Sequence, residues 1–221
     1  KQSRAAPDWY SAVPTIHQEV LRYAEILRDR DGSWPAHSLR LIRNCSAALA
    51  PSIGARLEAA LPGAVVVTSY AMTEALPICS NEVGALRDLN SVGPAAGPDV
   101  RVVDEHNVPV PEGEEGEVVV RGHCVFAGYE TRDHLGFDPN ELAFHPGGWF
   151  RSGDKGRLDK NGHLHLTGRF KELINRAGEK ISPVAVEHAL LELAPELLPG
   201  LHSLMAFAAP HEELGEAVGV A

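Results

Sequence analysis

The chain has 221 residues, and its net charge of −10 argues against a non-specific grip on nucleic acid or on an anionic membrane surface. Its hydrophobic share of 44% and charged share of 23% are those of a globular protein, and its length allows one large domain or two smaller ones. No apolar run approaches the roughly 20 residues of a membrane span.

The first third of the chain predicts two helices and a buried strand. Between residues 14 and 30, four large apolar residues recur at helical spacing: Ile16, Val20, Tyr23 and Leu27. A second helix is predicted over 51–61, where Pro51 suits the first turn. The β-branched run 64–69 predicts a strand that is buried on both faces, as in a parallel sheet. The polar segment YAMTE follows it, at the strand end where open α/β sheets bind ligands.

After residue 100 the pattern changes to short strands and turns. Runs 100–104 and 116–122 flank the acidic turn EHNVPVPEGEE. Two further runs, GRLD and HLHLTGR, flank Asn161-Gly162, which is a strong hairpin signal. The segment thus predicts a hairpin-rich part that follows a sheet with helices.

A second unit is predicted to start near Lys171. The run 171–175 indicates a short strand, a glycine turn follows, and a helix is predicted from Ser182 as N-cap through Leu193. Residues 201–210 indicate another strand. We therefore expect an α/β chain divided into residues 1–170 and a small α+β unit over 171–221.

The segment Ser69–Glu74 could seat a nucleotide phosphate. Tyr70 offers a ring that can stack on a base, the Thr73 hydroxyl can donate to a phosphate oxygen, and Glu74 can hold Mg²⁺ that bridges phosphates. Taken alone, these residues fit equally a strand-end loop with a Thr-Glu helix start, which is the commoner arrangement.

Two later segments carry further polar groups. Asp154 lies between glycines, where a carboxylate can accept both hydroxyls of a ribose, and Arg169 follows after the hairpin. The alternative is a surface ion pair that contributes little. In the segment 176–180, glycine permits close approach of backbone to a ligand, and the alternative is a solvated turn.

The cysteines and histidines of the sequence give little support for a disulfide or a metal site. Cys45, Cys79 and Cys124 lie far apart without CxxC spacing, which indicates reduced thiols of an intracellular protein. His163 and His165 alternate along one strand, but no third ligand is in view. We expect these two histidines on a solvated strand face.

Taken in order, the segments resemble motifs of the adenylate-forming superfamily, which includes acyl-CoA synthetases, luciferases and peptide-synthetase adenylation domains. YAMTE resembles the YGMTE loop of that family, and GWFRSGDKGRLDKNGHLHLTGRFKE resembles its ribose motif and hinge. SVGPAAGPDVRVVD with GEEGEVVVRGHCVFAGY resembles its middle motif, and GEKISPVAVE the start of its mobile C-terminal domain. Within the superfamily, GRFKELINRAGEKISP is most similar to peroxisomal-type CoA synthetases, including oxalate–CoA ligases. This implies a cytoplasmic or peroxisomal protein.

The resemblance implies roles for matching positions. Thr73 and Glu74 would act on the α-phosphate and on Mg²⁺, and Lys171 would be the hinge of the small domain. His17 and Ala71 would border the acyl pocket, although a lone His near an apolar stripe is often simply packed. The implied nucleotide-binding residues are Ser46, Ala47, Ala48, Tyr70, Thr73, Asp154, Leu166 and Arg169. The implied CoA-binding residues are Gly178, Glu179 and Lys180.

The resemblance also implies a reaction, to which there are two alternatives. A carboxylate would attack the α-phosphate of ATP and release pyrophosphate, and the CoA thiol would then displace AMP from the acyl-adenylate. The acceptor could instead be a carrier protein's phosphopantetheine, or the chain could be a non-catalytic nucleotide-binding relative. The family's phosphate loop and its C-terminal catalytic lysine are missing from the sequence. We therefore expect a fragment of a longer enzyme that is inactive alone.

The acyl substrate is judged from the residues after YAMTE. Oxalate–CoA ligases tend to carry a His shortly after this loop, whereas this chain has the apolar segment 75–80. A buried second carboxylate without a donor would be costly. We expect a less polar acid than oxalate.

Overall fold

The computed structural model describes residues 6–132, 134, 136–197, 201 and 204–221. Helices in these residues are α1 (Pro14–Asp31), α2 (Pro51–Ala60), α3 (Pro139–Ala143) and α4 (Pro183–Leu197). The strands are β1 (Trp9–Ala12), β2 (Leu41–Asn44), β3 (Val65–Met72), β4 (Ala75–Ser80), β5 (Asp99–Val103), β6 (Gly116–Arg121), β7 (Phe144–His145), β8 (Trp149–Leu158), β9 (Leu164–Arg169), β10 (Ile174–Arg176), β11 (Glu179–Ile181), β12 (Ala206–His211) and β13 (Gly215–Val220). No helix in the described part is long and apolar enough to cross a membrane.

The first sheet has the strand order β1-β2-β3-β4. Its first three strands are parallel, and β4 runs antiparallel to β3. Helices α1 and α2 pack on this sheet and share a core with it that includes Leu21, Leu57 and Val66. The predicted helices and the buried parallel strand are thereby confirmed.

Strand β3 extends further than the sequence predicts. Pairing with β4 joins Ser69 to Ser80 and Met72 to Ala75, so the first three residues of the polar segment YAMTE belong to the strand. Thr73 and Glu74 form the turn into β4 rather than the start of a helix. Strand β3 extends this far because its main chain pairs with β4. The sequence of one segment does not reveal which distant segment will pair with it.

The second sheet has the order β5-β6-β8-β7, and β9 pairs with β8. Strand β6 is buried on both faces, as shown by Val118, Val119 and Val120, which have no exposed surface. The predicted hairpin at Asn161-Gly162 joins β8 to β9, with Leu158 paired to Leu164. This hairpin places the second half of the long strand β8 against β9.

The third sheet has the order β11-β10-β13-β12. Helix α4 starts as predicted, because the Ser182 hydroxyl accepts from the amide of Ala185 at 3.4 Å. The strand predicted over 201–210 is observed as β12, and residues 202 and 203 of that prediction lie outside the described part. Strand β13 was missed by the sequence analysis and pairs with β12 along its whole length.

Two glycines provide a matched test of backbone packing. Gly93 and Gly162 have similar positive φ angles of 83° and 75°. A Cβ at Gly93 would lie 2.2 Å from the amide nitrogen of Asn81, whereas one at Gly162 would meet nothing within 4 Å. We expect Gly162→Ala to cost about 1–2 kcal/mol from conformation alone, and Gly93→Ala to cost clearly more or to prevent folding. Urea unfolding measures both, and equal costs would contradict the close backbone approach at Gly93.

Candidate active site

Two adjoining cavities lie where β3, β8 and β9 end. We call the first the inner cavity, of about 390 Å³, which is bounded by residues 46–49, by loop 88–92 and by Val184 and His188 of α4. We call the second the outer cleft, of about 1100 Å³, which is bounded by Thr73, Glu74 and residues 150–153. The two share a short boundary formed by Ser46, Ala71, Arg169 and Glu172.

The structure brings most of the sequence-predicted site residues to these two spaces. The inner cavity is lined by Ser46, Ala47, Ala48, Tyr70, Ala71, Asp154, Leu166 and Arg169. The outer cleft is lined by Ser46, Ala71, Thr73, Glu74, Arg169 and Lys171. Segments that are more than one hundred residues apart in the chain thus converge on one region.

Asp154 occupies the centre of this region and is only 3% exposed. Arg169 donates from Nε to Asp154 Oδ1 at 2.7 Å, and the Tyr70 hydroxyl donates to Asp154 Oδ2. Asp154 and Arg169 do form an ion pair, but its carboxylate is buried. The interpretation of the two residues as a surface ion pair is therefore wrong. Asp154 and Arg169 are directly paired across β8 and β9, which explains their separation around the Asn161-Gly162 turn.

The pKa values of the two partners of Asp154 are also shifted. Burial raises the pKa of Tyr70 far above its ordinary value, and the nearby Asp154 carboxylate raises it further. The Asp154 carboxylate likewise raises the pKa of Arg169, against the effect of burial. Both partners therefore stay protonated and donate to Asp154. The phenol-to-carboxylate bond was missed by the sequence analysis, because Tyr70 and Asp154 lie on different sheets.

Glu74 lies in the turn beside the outer cleft. Its Oε1 accepts from the Tyr129 hydroxyl at 2.8 Å, and its main-chain carbonyl accepts from the amide of Phe126 at 2.7 Å. Burial, together with Glu74, raises the pKa of Tyr129 to about 12. The described residues contain no group of three or more potential metal-ligating side chains. One carboxylate beside the Thr73 hydroxyl fits Mg²⁺ that is held jointly with substrate phosphates.

A polar cluster on the outer cleft was not predicted. Glu117, which is 9% exposed, accepts from Arg151 Nε at 3.1 Å and lies 3.3 Å from His145 Nε2. These residues come from β6, β8 and β7, three neighbouring strands of the second sheet. Only the strand order brings them together, so no local sequence signal could have found them.

Ser46 has a strained backbone. Its φ angle is 70°, a left-handed conformation that is uncommon for residues other than glycine. It stands on the boundary shared by the two cavities. Such strain clusters at ligand sites, so the position supports a binding role for this segment.

Several predicted residues lie away from both cavities. His17 is fully buried at the start of α1, with Nδ1 3.1 Å from the Tyr10 hydroxyl, and it lines neither cavity. Gly178 lies in the exposed turn between β10 and β11, Glu179 and Lys180 are the first two residues of β11, and all three line neither cavity. Their roles toward an acyl group or CoA stay predictions.

His163 and His165 are not on a solvated face. They are 5% and 8% exposed, because loop 88–92 and Gly93 cover this side of the hairpin. The expectation of a solvated strand face is therefore wrong. Alternation along one strand cannot show that a distant loop packs over it.

The comparisons with known proteins agree with this geometry. Residues 3–130 match the family model described as AMP-binding enzyme, and the chain belongs to that family. It is 42% identical over 220 residues to the oxalate–CoA ligase of Arabidopsis thaliana, which covers 96% of this chain and 39% of that protein. It is 35% identical over 212 residues to the sulfoacetate–CoA ligase of Cupriavidus necator, which covers 95% of this chain and 38% of that protein.

A solved structure extends the comparison to the fold. ATP-bound MatB from Rhodopseudomonas palustris superposes with a TM-score of 0.79 at 29% identity, covering 96% of this chain and 40% of that one. The α/β architecture is thus that of adenylate-forming enzymes. The chain spans about two fifths of the length of these proteins.

We expect Tyr70→Phe to lower the free energy of unfolding by about 1–3 kcal/mol. The variant keeps the ring but leaves the buried Asp154 oxygen without the phenol donor. Tyr23→Phe is the matched control, because Tyr23 is 60% exposed, and it should change stability by less than about 0.5 kcal/mol. Urea unfolding measures both variants. Equal stability of the two would contradict a stabilising hydrogen bond from the Tyr70 phenol to Asp154.

A pH dependence follows from His17. Burial lowers the pKa of His17, and the nearby carbonyls of Ala12 and Arg43 oppose that shift. The unfolded chain therefore takes up a proton first as the pH falls below about 6.5, and the stability that His17 contributes is lost there. We expect the stability difference between wild type and His17→Gln to shrink from pH 7.5 to pH 5.5. A difference that stays constant would mean that His17 titrates alike in both states.

Proposed function

We propose that the protein acts in ATP-dependent activation of a carboxylic acid to an acyl-adenylate, followed by transfer of the acyl group to CoA. The observation that carries this is the buried Asp154 carboxylate on the inner cavity, with Tyr70 on one oxygen and, on the other, Arg169, which lines both the inner cavity and the outer cleft. Each carboxylate oxygen can accept more than one hydrogen bond, so a ribose diol can add to these contacts.

The two cavities suit the two ends of a nucleotide. The inner cavity has mainly apolar walls, including Ala47, Leu49 and Leu89, and suits a base that stacks on Tyr70. The outer cleft carries Thr73, Glu74 and Arg151, which suit phosphates. ATP would therefore run from the inner cavity over Asp154 into the outer cleft.

The chain's own groups account for parts of the reaction. Thr73 would donate to the α-phosphate and Arg169 would hold the ribose, so that the substrate carboxylate meets the phosphorus in line. Glu74, oriented by Tyr129, would hold Mg²⁺ with the phosphates, and that ion would offset charge in the adenylation step. Gly178, Glu179 and Lys180 would meet the CoA thiol in the second step.

We also propose a division of the chain at Lys171. Arg169 ends β9, Ile174 begins β10, and β10 pairs only with β11 and β13 among the described strands. Residues 1–170 would then be the second part of the large AMP-binding domain, and 171–221 the start of the small domain. Lys171, which is exposed beside the outer cleft, would be the hinge.

The acid itself stays open within this proposal. The apolar segment 75–80 is strand β4, and its residues Ala75, Ile78 and Cys79 are buried in the core. Only Leu76 of this segment lines the outer cleft. Core packing explains the apolar character, so the argument from these residues against oxalate loses its support. The names of the two similar ligases make oxalate and sulfoacetate first members of a test panel.

The compartment belongs to the proposal as well. The cysteines Cys45, Cys79 and Cys124 are free thiols, as expected for an intracellular protein in the cytoplasm or the peroxisome. A fluorescent fusion at either end of the full open reading frame would distinguish the two compartments.

The test is mass spectrometry of products after incubation with ATP, Mg²⁺, CoA and the acid panel. It uses the chain as printed and a version extended by its flanking coding sequence. An acyl-CoA product supports the proposal and identifies the acid. An acyl-adenylate without a CoA thioester would favour loading of a carrier protein instead. Failure of both versions to consume ATP with every acid would favour a non-catalytic nucleotide-binding protein.

We expect Asp154→Asn to lower kcat/KM for ATP in the active version by about 100-fold. An amide keeps the shape but accepts fewer hydrogen bonds and loses the charge that faces Arg169. Asp99→Asn is the control, because Asp99 forms an exposed pair with Arg121 at 3.4 Å. Urea unfolding first checks that both variants are folded. Steady-state kinetics then measure kcat/KM for ATP, and an unchanged value in Asp154→Asn would contradict the role of Asp154 toward the ribose.

A further inference from the structure

One wall of the inner cavity is a loop without regular structure. The loop comprises residues 88–92, which belong to neither a helix nor a strand, and its residues 89–92 line the cavity. On one side the loop is held by Thr68, whose hydroxyl donates to the Ser91 carbonyl at 2.6 Å. Asn81 donates to the carbonyls of Asp88 and Ser91 at 2.9 and 2.8 Å. The shape of this wall therefore depends on side chains outside the loop.

On its other side the loop is held by His165. This ring is 8% exposed, with Nδ1 3.1 Å from the Asn90 carbonyl oxygen and Nε2 3.2 Å from Asp159 Oδ2. A carbonyl oxygen only accepts hydrogen bonds, and an ionised carboxylate also only accepts. The ring therefore links the loop to Asp159 of the β8–β9 hairpin through its two nitrogens.

We propose that His165 is a positioning residue for nucleotide binding. Its ring bridges the Asn90 carbonyl and the Asp159 carboxylate, and it thereby fixes loop 88–92 as a wall of the inner cavity. Its hold on the loop stands on these two contacts and on its burial. Its effect on a ligand rests on the proposed function, because there the inner cavity receives the nucleobase.

His165→Phe tests the hold on the loop. Phenylalanine keeps a buried ring of similar size but removes both hydrogen bonds. His163→Phe is the matched control, since His163 is similarly buried on the same hairpin, and the one hydrogen-bond contact of its ring among the described residues is a long one to the Ser91 hydroxyl, at 3.4 Å. We expect amide hydrogen exchange in loop 88–92 to rise about tenfold in His165→Phe and to change little in His163→Phe. Equal exchange in the two variants would overturn the proposal.

The same variants test the effect on a nucleotide. The dissociation constant of AMP should rise about tenfold in His165→Phe, with a reduced preference for ATP over GTP, and should stay within about twofold in His163→Phe. A wild-type chain that binds no AMP would count against the proposed function, while the exchange measurement would still decide the role of His165. Unchanged AMP affinity beside faster loop exchange would overturn the ligand-positioning role.

Discussion

The arrangement of the site depends on one buried carboxylate. Taking an ionised group out of water costs several kcal/mol unless close partners replace the lost hydration. Asp154 has two such partners, a guanidinium on one oxygen and a phenol on the other. Burial and the carboxylate raise the pKa of Tyr70, and the carboxylate raises the pKa of Arg169, so both partners donate. Asp154 also lines the inner cavity.

The same contact joins two sheets. Tyr70 belongs to β3 of the first sheet, and Asp154 belongs to β8 of the second, so the hydrogen bond between them crosses the boundary. Helix α4, which follows both of these sheets in the chain, contributes Val184 and His188 to the inner cavity. A ligand in this cavity would contact three parts of the chain at once. This explains how an open arrangement of sheets can enclose a small molecule.

Ordered polar contacts extend outward from this centre. Tyr129 orients Glu74 at the outer cleft, and Asn140 holds the main chain of Tyr129 with bonds of 2.7 and 3.0 Å. At the inner cavity, His165 and Asn81 hold opposite sides of loop 88–92. Residues on turns and loops beside the two cavities are thus held in place by hydrogen bonds from neighbouring side chains, a requirement for precise positioning.

The sequence by itself determined the periodic and turn-directed parts of this protein. It determined the first two helices, the buried core of β3, the hairpin at Asn161-Gly162 and the N-cap at Ser182, because these depend on local spacing and local conformational preference. Tertiary structure alone decided the rest. The extension of β3, the burial of His165, the cluster around Glu117 and the phenol bond to Asp154 all require a partner strand or loop that is distant in the chain. No local pattern encodes such a partner, since pairing energy is realised only when the segments meet.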